Sequence, residues 1–264
     1  VTAAAPGLRG WDRHVLWQLT QTGMRRRTDD RVLGVAWWLL DPLLLVGVYA
    51  LVFGGLLGFG RHAEQNAYPL FVACALIPWR WFAMASTQGA SAFSQNHTLL
   101  LSTPVHRETV LLSEWISASA QALAGVALLL ALMLVYDVPI TANLLWLPLP
   151  LAVLGALALG VAYFLCPLGV MLPDVGNLYA ALLRLVWFLS PGLYALARVP
   201  ESWRGTYVAL NPFAGILEGV RRPIHAGLPP DWEALAWSAA FAAIVLVSGR
   251  VVFRRLAPAA IRML

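Results

Sequence analysis

Residues 143–172 run for thirty positions without one charged side chain. As a helix this stretch would rise about 45 Å, more than the ~30 Å hydrocarbon core of a bilayer. Comparable runs recur at 32–59, 69–91, 110–136, 178–198 and 232–253. A water-soluble domain of this size has no interior that could hide all of them, so lipid is the expected solvent. The chain reads as an all-α integral membrane protein: six transmembrane helices in a single transmembrane domain, 1–264. Composition agrees: 60% of residues are hydrophobic and 12% charged, against about 45–50% and about 25% in soluble domains. Mean hydropathy is +0.71.

Six spans put both termini on one side, and basic residues choose the side. Eleven arginines fall with the termini, five lie in the opposite links, and Arg80 and Arg184 lie inside spans. Both termini are therefore expected in the cytoplasm. Residues 10–31 precede the first span, with Trp11, Val15, Leu16, Leu19 and Met24 at helical spacing and charge between them. That pattern describes an amphipathic interfacial helix, its Arg25, Arg26 and Arg27 beside lipid phosphates. The alternative is a plain basic flank of the first span. No cleavable leader is expected, because this stretch is polar and arginine-rich.

All 18 basic residues are arginine. Without lysine there is no P-loop lysine, no Schiff base and no kinase-type lysine. ATP hydrolysis, if it drives this chain, belongs to another subunit. Cys74 and Cys166 lie in apolar runs and read as buried free thiols. His97 and His106 have no Cys or carboxylate at ligand spacing, so no metal site is expected, and no catalytic group stands out.

Two links are long enough to carry function. Segment 92–109 is polar at its ends, has Leu99, Leu100 and Leu101 in its middle, and is stopped by Pro104. A short helix here would offer three leucines to a partner's groove, or fold them back onto the bundle. Segment 199–231 contains Pro212 followed by Phe213, Ile216, Leu217 and Val220 on one helical face. Such a segment fits an outer re-entrant region between spans 5 and 6.

Charges inside the runs are costly and need partners. Asp41 is expected to pair with Arg184 or with Arg80; either arginine is otherwise free to meet an anionic substrate. Glu114 lies near the start of its span. Trp79, Trp81, Phe82, Trp187, Phe188 and Tyr194 cluster away from span ends. Aromatic faces stack on the C–H faces of sugar rings, so these residues are candidates for a glycan path, with core packing as the plainer alternative.

The order of these pieces resembles the permease subunits of type-2 ABC exporters, the group that exports polysaccharides such as O-antigen, capsule and teichoic acid. The resemblance is carried by residues 31–42, with Trp37-Trp38 and Asp41-Pro42, and by Leu76-Ile77-Pro78-Trp79-Arg80-Trp81-Phe82. It continues through Asn96, Leu99, Pro104 and Arg107, Leu172-Pro173-Asp174-Val175, Leu189-Ser190-Pro191, and Leu210-Asn211-Pro212 followed by Glu218 and Arg221. Leu101-Ser102-Thr103 stand where the family often has basic and aromatic residues, so docking at that point would be mainly apolar.

The resemblance implies two copies of the chain around a central path in the bacterial cytoplasmic (inner) membrane. Two separate ABC ATPase subunits would bind ATP and Mg, with no cofactor on this chain and no nucleic acid partner. Asn96, Leu99, Leu100, Leu101, Pro104, Arg107 and Glu108 would form the coupling segment at 92–109. Ser190, Pro191, Asn211, Pro212, Glu218 and Arg221 would form an outer gate, with 199–231 as the outer re-entrant gate region. The cargo would be a lipid-linked glycan, its pyrophosphate steered by arginines near the N-terminal helix. An exporter of a small lipophilic molecule or drug is the alternative within transport. A membrane glycosyltransferase would need clustered carboxylates at one face, and Asp137, Asp174, Glu201, Glu218 and Asp231 are scattered.

Overall fold

The computed structural model describes residues 10–26, 34–58, 67–103 and 105–264. Arg27, Pro104, the start of the first span and most of the first outer link lie outside these. Every regular element among the described residues is helical. Five helical stretches are long and apolar enough to cross a membrane. They are α2 (Trp37–Tyr49, continued by a π-helical turn, Ala50–Leu56), α3 (Tyr68–Gln95), α5 (Arg107–Val135), α6 (Pro148–Met171, led in by the 3-10 turn Ala142–Trp146) and α10 (Trp232–Ile261). Helix α1 (Gly10–Arg26) lies along α5, with Thr20 buried and Trp17 exposed. It ends at Arg26, within the expected 10–31 stretch.

The fifth expected span is shorter than 178–198. Helix α7 (Val175–Leu189) has 15 residues and rises about 22 Å, short of a bilayer core. Proline disfavours helical geometry in the residue before it, and Ser190, preceding Pro191, is extended (φ −90°, ψ 153°). The chain then turns through Leu196–Arg198 into α8 (Glu201–Leu210) and α9 (Pro212–Arg221). Asn211 caps α9 by accepting the Phe213 N–H at 3.1 Å, which satisfies an otherwise orphaned donor. Helix α9 is enclosed rather than interfacial: Phe213, Ile216, Leu217, Val220 and Arg221 are all buried, against α3, α6 and α10.

Helix α3 is the axis of the bundle, buried along most of its length, whereas α2 is hardly buried. In lipid, helices associate by close packing rather than by escape from water. A close approach joins α6 and α10, where a Cβ on Gly160 would stand 2.7 Å from the Leu246 backbone N and one on Gly249 2.4 Å from the Gly160 carbonyl O. Two apolar clusters result. The larger unites Leu70, Cys74, Trp79, Phe82, Leu129, Leu154, Trp187, Phe213 and Leu217. The smaller, near the 92–109 link, holds Phe93, Leu111, Tyr163, Cys166, Phe253 and Ala257.

Candidate functional site: a groove behind the first span

Because α2 is thinly packed, a groove of about 860 Å³ opens between α1, α2, α3 and α5. Its walls change character along its length. One face of α3 supplies Arg80, Thr87, Gln88 and Gln95, and α5 supplies Glu114 and Gln121. Arg80 to Gln95 spans about 22 Å of helix. Arg26 on α1 and Trp37 and Trp38 on α2 stand on the same lining, while Leu45, Tyr49, Leu76, Ile77 and Trp187 make the other end apolar and aromatic. The groove is thus amphipathic, and its volume suits a drug-sized ligand or a headgroup with its first sugars.

One ion pair bridges it. Arg80 donates through Nη2 to Asp41 Oδ2, and the two side chains keep 36% and 53% of their exposure. Of the two expected partners for Asp41, the fold selects Arg80. Arg184 is exposed on α7 and, among the described residues, makes no hydrogen bond or ion pair. Arg25 and Arg26 are exposed in the last turn of α1; Arg27 is outside the described residues.

The aromatic candidates divide. Trp79 and Phe82 are core residues: Trp79 packs on Trp187 at 5.5 Å and Phe213 at 4.9 Å, and Phe82 packs on Phe213 at 4.8 Å between centroids. Trp79, Trp81 and Trp187 also line the groove, and the Trp81 indole N–H is taken by Ser119 Oγ at 3.2 Å. Phe188 is exposed on α7. Tyr194 is a fastener, its hydroxyl bonded to the Leu189 carbonyl at 3.2 Å and to the Tyr207 hydroxyl at 3.0 Å.

The coupling segment is a short helix, α4 (His97–Ser102), but it does not expose three leucines. Leu99 and Leu100 pack on the smaller cluster, and only Leu101 stands out, 59% exposed. Asn96 is buried, donating to the Ala92 carbonyl at 2.9 Å and towards Glu114 Oε1 at 3.5 Å. Arg107 is exposed, whereas Glu108 turns inward to Tyr163 and Arg250. The non-helical Asn96 (φ −119°, ψ 26°) sets α4 off from α3, so two of the leucines fold back onto the bundle, the alternative arrangement expected for this triplet. Pro104 lies outside the described residues.

The outer candidates form a dense clamp. Buried Arg221 donates through Nη2 to the carbonyls of Pro191 (2.7 Å) and Gly192 (3.0 Å) and through Nη1 to Glu218 (2.7 Å), with its guanidinium 3.9 Å from the Phe71 ring centroid. The Leu189 carbonyl also accepts from Tyr207 (2.6 Å) and Asn211 (3.0 Å), while the Ser190 hydroxyl returns to Val186 (2.7 Å). Pro212 opens α9. Burial and the bond from Tyr194 push the Tyr207 phenol well above its usual range. His225 lies edge-on to Phe71; burial, then the Arg221 charge, holds its pKa below the usual 6.5.

The groove amides escaped the sequence reading. Their signal was partly present: Gln88 and Gln121 are polar side chains inside apolar runs, and such residues tend to face protein or water, whereas Gln95 belongs to the polar start of the 92–109 link.

A helical bundle with five membrane-length helices and an amphipathic groove defines a polytopic membrane protein. The chain belongs to the ABC-2 type transporter family, which matches it over residues 14–224. Over 242 residues it is 27% identical to the O-antigen export system permease protein RfbA of Myxococcus xanthus, covering 91% of this chain and 92% of that protein. It is 24% identical over 243 residues to an O-antigen export system permease protein RfbA of Klebsiella pneumoniae, covering 90% of each. It is 26% identical over 238 residues to a polysialic acid transport protein KpsM of Escherichia coli, covering 88% and 89%.

Proposed function

We propose that the chain is the membrane subunit of an ATP-driven exporter that moves a lipid-linked polysaccharide across the bacterial cytoplasmic membrane. Two copies enclose the path, and two separate ATPase subunits, which hold ATP and Mg, dock from the cytoplasm where both termini lie. In this reading α7 and the turn after it complete a sixth crossing, and α8–α9 form an outer re-entrant gate. The observation that carries the proposal is the groove along α3. A phosphate headgroup meets Arg26 and Arg80, sugar hydroxyls meet Gln88, Gln95 and Gln121, and ring faces meet tryptophan. The near full-length likeness to O-antigen and polysialic acid permeases supports this class of cargo.

Arg80 in the ligand-free groove is neutralised by Asp41. An arriving phosphate competes for the same guanidinium, and charge-assisted bonds to phosphate are strong enough to displace a half-exposed carboxylate. Displacement frees α2 from α3 and widens the groove. The test is deletion of the gene in its host, with surface glycan and intracellular glycolipid measured together. Loss of surface glycan with glycolipid accumulating inside is the expected result, restored by the wild-type chain. Unchanged surface glycan refutes the reading.

A further inference from the structure

Glu108 is the second residue of α5, just past the 96–106 segment, and its carboxylate faces α6 and α10. Oε1 accepts from the Tyr163 hydroxyl of α6 at 2.6 Å and from Arg250 Nε of α10 at 2.7 Å. Oε2 accepts from Arg250 Nη2 at 3.3 Å and lies 3.9 Å from Arg254 Nη2. The carboxylate is largely covered, with 26% of the side chain exposed. Three helices therefore meet on one anion, immediately after α4. The leucines of α4 rest on the same helix by another route, because Leu99 and Leu100 pack on the cluster that holds Phe253 and Ala257 of α10.

Helix α10 is 30 residues long, about 45 Å, enough to run from one membrane face to the other. At its far end it meets the outer hairpin without play: a Cβ on Gly215 of α9 would fall 2.1 Å from the Ala234 carbonyl O. The Asp231 side chain caps α10 there by accepting from the Ala234 N–H at 3.2 Å. Between the ends, the Gly160–Gly249 contact binds α10 to α6.

We propose that Glu108 is a positioning residue that fastens the 96–108 segment to the cytoplasmic half of α10, so that the two move as one body and carry the docking stroke along α10 to α9. This deepens the proposed function and rests on its premise that a separate ATPase drives the chain. A single substitution at this carboxylate removes the rivet of the three helices without creating a cavity. Glu108→Gln keeps the shape but loses the charge-assisted bonds, which are about twice as strong as neutral ones. Arg250→Gln removes the same clamp from the α10 side and leaves the docking segment unaltered.

The experiment uses spin labels on Thr98→Cys and Arg255→Cys, both exposed positions, with Thr98→Cys paired with Leu44→Cys on α2 as the reference. Cys74 and Cys166 are fully buried and take no label in the folded protein. In the wild-type complex with its ATPase, ATP binding should leave the Thr98–Arg255 distance unchanged while the Thr98–Leu44 distance shifts. In Glu108→Gln and in Arg250→Gln the Thr98–Arg255 distribution should broaden, the ATPase should still co-elute, and glycan export should fall on the order of tenfold. The proposal is overturned if the wild-type Thr98–Arg255 distance changes with ATP or if both variants export normally. It is also overturned if Glu108→Gln alone loses the ATPase, which would make Glu108 a docking contact. If no ATPase binds the wild-type chain, the functional premise falls. The label distributions in the chain alone, narrow in wild type and broad in both variants, then still decide the clamp.

Discussion

Arg221→Met tests the outer clamp with little change in side-chain volume. The guanidinium makes bonds to Pro191, Gly192 and Glu218 at 2.7 to 3.0 Å and lies over Phe71, with 4% of its surface exposed. Removing it orphans two carbonyls and strands the Glu218 carboxylate, itself 13% exposed. Breaking one side of a buried pair costs about 3–5 kcal/mol, mostly from the charge left behind. Each 1.4 kcal/mol is a factor of ten, so local opening around this clamp should rise on the order of 10²-fold to several 10³-fold. The chain supplies its own reporters. Cys74 is one turn from Phe71 in the larger cluster, and Cys166 sits in the smaller one. Under conditions where opening limits labelling, Arg221→Met should accelerate modification of Cys74 by that factor and leave Cys166 protected. Adding Glu218→Gln removes the stranded charge and should recover much of the loss. The reasoning fails if Cys74 stays protected in a folded Arg221→Met protein, or if Cys166 is exposed equally, since either result would mean that Arg221 does not hold the outer module specifically.

The depressed pKa of His225 predicts a pH dependence with a definite sign: above about 6.5 both folded and unfolded states hold it neutral, and below 6.5 the unfolded state takes the proton first. Thermal stability should therefore fall as pH drops from 6.5 towards 5, and the part lost to this group should vanish in His225→Gln, measured by unfolding midpoints in a detergent of constant charge. Gly160→Ala drives a methyl into the Leu246 backbone and should cost about 1–3 kcal/mol, while Gly176→Ala, with nothing within 4 Å of its new Cβ, should be neutral or stabilising by up to about 1 kcal/mol; paired melting curves decide. Leu101→Asp should abolish co-elution of the partner ATPase without lowering the melting temperature, because Leu101 is the exposed leucine of α4; co-elution at the wild-type level refutes the docking role. Asp41→Asn and Arg80→Leu should each reduce the yield of folded protein, and the double variant should recover part of it, as seen by size-exclusion profiles, if their ion pair is structural as well as substrate-gated.

Most of the spans were legible because the signal is coarse. A run such as 143–172 has too much apolar surface for water, whatever its neighbours. Hydropathy also placed the two cysteines in the interior and located the charges that need partners. It failed where the question was which apolar surface meets protein and which meets lipid, since both environments reward the same side chains. Phe82 and Phe188 look equivalent in sequence; one is core and the other exposed on α7. Leu99, Leu100 and Leu101 form a uniform triplet, and the bend at Asn96 decides which of them stands out. Asp41 had two arginines at comparable depth, and the choice of Arg80 follows from α2 lying against α3.

The sequence by itself determined the solvent, the helical class, five crossing segments and the absence of any lysine on which an ATP site would depend, because those follow from local chemistry summed along the chain. The tertiary structure alone decided that Arg221 locks the turn after α7 to α9, that Glu108 faces α10 and that glutamines on α3 and α5 line one groove. Each of these depends on side chains distant in sequence meeting at angstrom distances, and helix crossing, set by small residues such as Gly160 and Gly249, is what brings them together.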